Sequence, residues 1–231
     1  MMELVEQPFD CVHCGKSFMK EKTLFAHMCE QKRRAMQQTE KRVQTGFMAF
    51  NRWYQLTQNA KKNKTYEEFC KSSYYNAFVK FGSFVNNVNP LYPDKFIDFV
   101  IKSGVKLDHW CRDALYEQYL YEMLKVEPVE AAVQRSIATM LEWADANNAP
   151  YSHYFRYVNP NRAVHHIKDG KISCWLMLNC ASGKEMLETF SDEQLEMIAP
   201  AFDLPYWLKK FKDNPADVAL VKEICEETGI A

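Results

Sequence analysis

The chain has 231 residues, of which 47% are apolar and 14% aromatic, enough for one small module and one domain with a sizeable core. It contains no apolar run long enough to span a membrane, and its N-terminus lacks the basic start and apolar run of a signal peptide. These features argue against a membrane or exported protein, and we expect a soluble protein of the cytoplasm.

The net charge of −1 is unevenly distributed. Residues 1–64 contain twelve Lys and Arg against six Asp and Glu, whereas residues 65–231 contain seventeen against twenty-four. A basic N-terminal region followed by an acidic remainder favours a polyanionic partner for residues 1–64. The alternative is a solvated helix that happens to be rich in Lys and Arg.

Three of the eight cysteines lie within the first 29 residues, and the other five are scattered through apolar helical patterns. In a chain of this size without an export signal, metal ligands and reduced buried thiols are expected rather than disulfides.

Residues 9–29 form the most informative segment. Cys11 and Cys14 are separated by two residues, and His27 follows after twelve more. Phe18 and Leu24 lie where a small ββα module keeps its large apolar side chains. A segment this short cannot bury enough surface to fold alone, so a metal ion must supply the folding free energy. Two thiolates on a tight hairpin and an imidazole on a helix would give Zn²⁺ three of its four tetrahedral ligands.

This segment resembles the C2H2 zinc-finger family in the order and spacing of six residues. They are Phe9, Cys11, Cys14, Phe18, Leu24 and His27. The resemblance implies a ββα fold and a bound Zn²⁺, and it predicts a zinc-finger domain over residues 1–30.

The fourth zinc ligand departs from the family pattern. Gln31 occupies a position where the family usually has His or Cys, and the nearest candidate is Cys29, two residues after His27. Residues two apart on an α-helix point about 200° apart, so the helix must stop or tighten near Met28 for Cys29 to reach the same ion. We therefore expect a C2HC finger with Cys29 as the fourth ligand. His13, within the Cys11–Cys14 turn, is the alternative.

The resemblance also indicates which residues would face DNA. The helix positions that read bases fall on Lys20, Thr23 and Ala26, and these side chains would discriminate bases poorly. Binding without sequence preference, through phosphates, is the better expectation. The cations available for it are Lys16, Lys20, Lys22, Lys32, Arg33, Arg34, Lys41 and Arg42.

Residues 31–64 are predicted to form a basic connector helix and a loop. Apolar residues recur at helical spacing towards Tyr54, and no Gly or Pro interrupts the pattern before Gly46, which predicts one long helix over about residues 32–57. A polar loop follows at residues 59–64.

Residues 65–231 are predicted to form an all-α domain of about eight to ten helices. A capping box of Thr65 and Glu68 starts a helix expected to run to Val88, and a similar pattern starts another helix at Ser191. The predicted fold class is therefore mainly α: a small ββα finger, a long connector helix and a multi-helix body.

No pattern in the chain points to catalysis. The sequence has no phosphate-binding loop, dinucleotide fingerprint or HExxH motif, and no small-molecule substrate is evident. Adjacent His165 and His166 would point about 100° apart on a helix, so we expect surface or capping histidines rather than a metal site.

The leading hypothesis is a non-enzymatic accessory protein that associates with nucleic acid through phosphates. The alternative is a protein-interaction or assembly factor that docks through the finger and the helical body. Over its first third, the chain is also similar to uncharacterised proteins of T4-related tailed phages. That resemblance implies a phage protein acting in the host cytoplasm and indicates no activity.

Overall fold

The computed structural model describes residues 8–230, and the chain forms two compact units that divide between Tyr116 and Glu117. Fifteen α-helices and one two-stranded sheet make up most of the regular structure of the described residues, so the predicted mainly-α fold class is confirmed. The finer division into residues 1–30, 31–64 and 65–231 stays a prediction. No helix of the described residues combines the length and apolar character needed to cross a membrane.

An antiparallel hairpin and a short helix open the first unit. Strands β1 (Phe9–Asp10) and β2 (Ser17–Phe18) place Phe9 opposite Phe18, and helix α1 (Glu21–Ala26) contacts both strands. Gly15 lies in the turn with a φ of +71°, a conformation that glycine adopts without a Cβ clash. The order ββα is the one that the sequence predicted.

The basic segment after this module forms two helices, whereas the sequence predicted one continuous helix. Helix α2 (Glu30–Met36) ends at Gln37, and helix α3 (Lys41–Gln58) begins after a turn. The cause of the break is tertiary, because the buried Arg34 guanidinium binds carbonyl groups at residues 70 and 72 and holds α2 against that part of the unit. No local sequence signal marks such a contact.

The helix predicted from Thr65 to Val88 is also divided. Helix α4 (Tyr66–Lys71) and helix α5 (Tyr75–Val88) are separated by a turn over residues 72–74. The predicted capping box is present, because the Glu68 N–H donates to the Thr65 hydroxyl and the Thr65 N–H donates to the Glu68 carboxylate. Helix α6 (Pro93–Lys102) and a 3₁₀ turn (Leu107–His109) complete this part of the unit.

Aromatic rings fill the core of the first unit. The buried rings of Phe50, Phe69, Phe78, Phe81 and Trp110 form a chain of contacts with centroid distances between 4.9 and 5.6 Å. Such edge and tilted contacts are favoured between aromatic rings. The apolar stripe of α3 is therefore part of a core.

Two glycines let α3 and α5 cross at close range. A Cβ atom on Gly82 would lie 2.1 Å from the Arg42 carbonyl oxygen, and one on Gly46 would lie 2.6 Å from the Phe78 carbonyl oxygen. Any side chain at either position would therefore collide with backbone of the opposite helix.

The regular secondary structure of the second unit's described residues is all helical. Its core contains the buried rings of Trp143, Tyr154, Trp175 and Trp207. The helices are α7 (Asp113–Val126, which contains the division), α8 (Val129–Asn147), α9 (Tyr154–Tyr157), α10 (Pro160–Lys168), α11 (Cys174–Met177), α12 (Ala181–Glu188), α13 (Asp192–Ile198), α14 (Leu204–Asp213) and α15 (Pro215–Thr228).

Candidate metal centre

The four side chains predicted to bind metal lie together. The ligand atoms of Cys11, Cys14, His27 and Cys29 are all within 4.8 Å of one another. The Sγ atoms of Cys11 and Cys29 are 3.9 Å apart, and Cys14 Sγ lies 3.3 Å from His27 Nε2. Among residues 8–230, no other set of three or more His, Cys, Asp or Glu side chains is brought together in this way.

Two of these separations fit the edges of a tetrahedron around a small divalent ion. Zn–S bonds of about 2.3 Å and Zn–N bonds of about 2.0–2.1 Å would place two sulfurs about 3.8 Å apart and a sulfur and a nitrogen about 3.6 Å apart. The distances between Cys11 and Cys29 and between Cys14 and His27 are within a few tenths of an ångström of these values. These two pairs therefore suit a tetrahedral ion, and the other ligand atoms lie within 4.8 Å of them.

The hairpin turn positions the first two thiols. Cys11 directly follows β1, its N–H donates to the Lys16 carbonyl at 2.9 Å, and its own carbonyl accepts from the Gly15 N–H at 2.7 Å. These bonds close the turn around Cys14. The Cys11 side chain is buried and Cys14 is exposed, so the cluster lies at the surface of the module.

The end of α1 explains how His27 and Cys29 reach the same point. The helix stops at Ala26, and both His27 (φ −69°, ψ 123°) and Cys29 (φ −83°, ψ 166°) have extended backbone. In an extended segment, side chains two residues apart lie on the same side. The expected termination near Met28 therefore occurs before His27. His13, the alternative ligand, is outside the cluster and lines two grooves, one of which Cys11 also lines.

The thiols of the hairpin have different acidities. The Cys14 backbone N–H stabilises the Cys11 thiolate and lowers the pKa of Cys11, although burial opposes this effect. The Lys16 backbone N–H acts in the same direction on Cys14, but desolvation and the thiols of Cys11 and Cys29 outweigh it and raise the pKa of Cys14. A bound cation would remove this conflict, because it stabilises several thiolates at once.

The cations expected to contact nucleic acid have different environments. Those with exposed side chains are Lys16, Lys20, Lys22, Arg33, Lys41 and Arg42, and Thr23 is also exposed. Arg42 pairs with Glu40 at 2.7 Å, and the Lys16 ammonium lies 5.7 Å from the centroid of the Phe18 ring. Lys32 is half-buried and donates to the His27 carbonyl oxygen at 3.1 Å.

Arg34 does not fit the expected role in phosphate binding. Its side chain is buried, with the guanidinium 4.4 Å from the centroid of the Tyr75 ring, and Nη1 donates to the carbonyls of Cys70 (2.7 Å) and Ser72 (3.2 Å). It also forms an ion pair with Glu30. The basic run Lys32–Arg34 suggested one exposed cluster, but helix geometry turns Arg34 inwards while Arg33 faces solvent.

Two exposed apolar residues of the ββα module had no role in the sequence-based prediction. Val12 is 91% exposed in the Cys11–Cys14 turn, and Phe25 is 87% exposed on α1. The position of Phe25 could have been anticipated, because Leu24 faces the module interior and the next residue of a helix points about 100° away.

Comparisons with known proteins give no match for this chain among family models, curated proteins or solved structures. The arguments on function therefore rest on the residues themselves.

Proposed function

We propose that the protein is a zinc-binding accessory protein that associates with nucleic acid mainly through phosphate contacts. Three thiolates and one imidazole form a donor set typical of structural zinc sites, which are closed by four protein ligands. The role of the ion is to fold the finger, since the hairpin and α1 bury too little surface to do so alone.

Exposed cations without acidic partners carry the proposal for nucleic acid. Lys20, Lys22, Arg33 and Lys41 are exposed, and none forms an ion pair with another described residue. They lie on the finger, in the last turn of α2 and at the start of α3. Unpaired surface cations bind phosphates by releasing condensed counterions, and this binding needs no base recognition.

The distribution of charge also favours the first unit as the part of the chain that contacts nucleic acid. The first unit contains eighteen Lys and Arg against twelve Asp and Glu, whereas the second contains eleven against eighteen. A net charge of +6 on one unit and −7 on the other favours a polyanion that contacts the first unit.

The zinc proposal is tested by metal analysis of the full-length protein purified without added metal. We expect about one zinc per chain, and we expect Cys14→Ser to lose it. Replacement with Co²⁺ should give the visible absorption bands of a tetrahedral thiolate site. Absence of bound metal in the wild-type protein, together with no change in circular dichroism on chelation, would contradict the proposal.

The nucleic-acid proposal is tested by titrating labelled single- and double-stranded oligonucleotides at several salt concentrations. The key variant is Lys20→Glu/Lys22→Glu, and the matched control is Lys61→Glu/Lys62→Glu, which changes the same charge in an exposed loop of the same unit. We expect binding that weakens steeply with salt and a loss of about tenfold or more in the finger variant only.

Two results would refute this part of the proposal. One is the absence of binding at low salt by a protein that contains its metal. The other is equal weakening by the finger and loop variants, because this would show that net charge alone, and not the finger surface, attracts the oligonucleotide.

A further inference from the structure

The exposed apolar residues of the finger line a common groove. Val12 and Phe25 form part of its wall, together with the half-buried Leu24, and the groove has a volume of about 270 Å³. Single exposed apolar side chains are common on protein surfaces, but neighbouring ones that share a concave surface are typical of interaction sites. The finger's interior is supplied by other residues, so neither Val12 nor Phe25 is needed for its folding.

Acidic side chains border this groove. Asp10 and Glu21 line it, and neither forms an ion pair with another described residue. His13 and Lys32 line it as well, and the Lys32 ammonium group already donates to the carbonyl oxygens of Phe25 and His27. The groove therefore combines apolar walls with two carboxylates that lack a cationic partner.

The groove lies on a different side of α1 from Thr23 and Ala26, two of the residues expected to face nucleic acid. Successive helical residues are about 100° apart, so Glu21 and Phe25 lie within about 40° of each other around the helix axis. Ala26 lies about 100° and Thr23 about 160° from Phe25 by the same geometry. One face of the helix is thus acidic and apolar, Lys22 lies beside it at about 60° from Phe25, and the face of Thr23 is available for phosphates.

We propose that this groove docks a basic amphipathic segment of a protein partner. An apolar side chain of the partner would insert between Val12 and Phe25, and Lys or Arg side chains beside it would pair with Asp10 and Glu21. Nucleic acid does not suit this surface, because the two carboxylates repel phosphates. Residues 1–7 of the chain do not suit it either, because they contain Glu3 and Glu6 and no basic residue.

The test uses the full-length, metal-containing protein and two designed helical peptides. Both peptides carry the same stripe of leucines, and their polar positions are either all Lys or all Glu. We expect the Lys peptide to bind saturably and at least tenfold more tightly than the Glu peptide. Asp10→Asn/Glu21→Gln should reduce the affinity for the Lys peptide about tenfold.

The variant Phe25→Ala separates this groove from general attraction to acidic surface, because it leaves the net charge unchanged. It should abolish saturable binding of the Lys peptide, whereas Met36→Ala, at a residue of the same unit that is 67% exposed outside the groove, should not. Equal affinity of wild type and Phe25→Ala for the Lys peptide would overturn the proposal.

If the groove binds something other than a basic peptide, the variants give distinct results, and each of these results would overturn the proposal. Loss of oligonucleotide binding in Phe25→Ala would assign the groove to nucleic acid. Loss of self-association in that variant, measured by sedimentation, would assign it to a second copy of the chain. A tenfold gain in peptide affinity on deletion of residues 1–7 would assign it to the chain's own N-terminal segment. Lys20→Glu/Lys22→Glu should leave peptide binding intact, so this proposal and the nucleic-acid proposal fail separately.

Discussion

Cys29 and Lys32 join the cluster of candidate metal ligands to the helices on either side of it. The Cys29 thiol accepts a hydrogen bond from the Lys32 backbone N–H at 3.3 Å and so caps the start of α2. The Lys32 ammonium donates to the His27 carbonyl oxygen at 3.1 Å, just beyond the end of α1. A thiolate at the first position and a cation at the second are each favoured by the partial charges of the helix ends.

The double role of Cys29 gives a prediction with a matched pair of variants. Cys29→Ser keeps an oxygen that can cap α2 but removes the thiolate, whereas Cys29→Ala removes both. We expect both variants to bind Zn²⁺ much more weakly, by at least tenfold in a competition titration with a chromogenic chelator. In the absence of metal, Cys29→Ala should be less stable than Cys29→Ser by about 1 kcal/mol. Unchanged zinc affinity in both variants would exclude Cys29 as a ligand.

Substitutions of Arg33 and Arg34 should separate effects on oligonucleotide binding from effects on the stability of the fold. Arg34→Met leaves the carbonyls of Cys70 and Ser72 without their donor, so we expect a loss of about 2–4 kcal/mol in the free energy of unfolding. Arg33→Met removes an exposed cation and should leave the stability within about 0.5 kcal/mol of wild type.

The measurements are urea denaturation and the salt dependence of oligonucleotide binding. Arg33→Met should lower the salt slope by about one unit, whereas Arg34→Met should leave it unchanged at temperatures where the variant is folded. A stable Arg34→Met protein with a reduced salt slope would return Arg34 to the phosphate-binding surface.

The sequence was sufficient to predict the ββα order and the Cys/His cluster of residues 9–29 because the signals for both are local. The ligand spacing and the two-residue separation of His27 and Cys29 both lie within 21 residues. The two side chains can meet because α1 ends before His27. The capping box at Thr65 was predictable for the same reason, since its two hydrogen bonds link residues three apart.

The breaks in the long helices could not be predicted in this way. Residues 37–40 and 72–74 contain no Gly or Pro, and their geometry depends on contacts between distant segments. Arg34 bonds to carbonyls 36 and 38 residues away, and the Tyr66 hydroxyl donates to the Arg34 carbonyl oxygen. The same long-range contacts determine which members of a basic run face solvent, and so they also changed the list of candidate phosphate contacts.

The crossing of α3 and α5 predicts a severe effect of one methyl group. Gly82→Ala would place a Cβ atom against the Arg42 carbonyl oxygen, which belongs to helix backbone and cannot rotate away. We expect a loss of about 2–3 kcal/mol in the free energy of unfolding, although alanine favours helix by about 1 kcal/mol over glycine. Ser83→Ala on the next residue is the control and should change stability by less than about 0.5 kcal/mol. A neutral or stabilising Gly82→Ala would show that the two helices can separate at no cost.

The pair His165 and His166 leads to a prediction about acid stability in the second unit. The sequence predicted surface or capping histidines, and the structure places His165 at the surface. His166 is half-buried, and its Nδ1 lies 2.7 Å from the hydroxyl of the fully buried Tyr154. Burial lowers the pKa of His166 to about 4, with Lys171 and Arg162 acting in the same direction and Asp169 and Glu142 in the opposite one.

Because this pKa lies below the ordinary histidine value of about 6.5, the unfolded chain takes up a proton first as the pH falls. The free energy of unfolding should therefore be unaffected by this group above about pH 6.5 and should fall between about pH 6.5 and 4. The slope should stay below the one-proton limit of about 1.4 kcal/mol per pH unit, since His166 is partly exposed to solvent.

Urea denaturation at a series of pH values checks this prediction with two variants that each retain five of the six histidines. His166→Asn keeps a polar group that can reach the Tyr154 hydroxyl but does not titrate, so its stability should depend less on pH over this range than that of wild type. His165→Asn should follow wild type, because His165 is exposed. Parallel pH profiles for wild type and His166→Asn would contradict the prediction, because His166 would then take up its proton in the folded protein as readily as in the unfolded chain. The contact with the buried Tyr154 would in that case impose no cost on the charged imidazole.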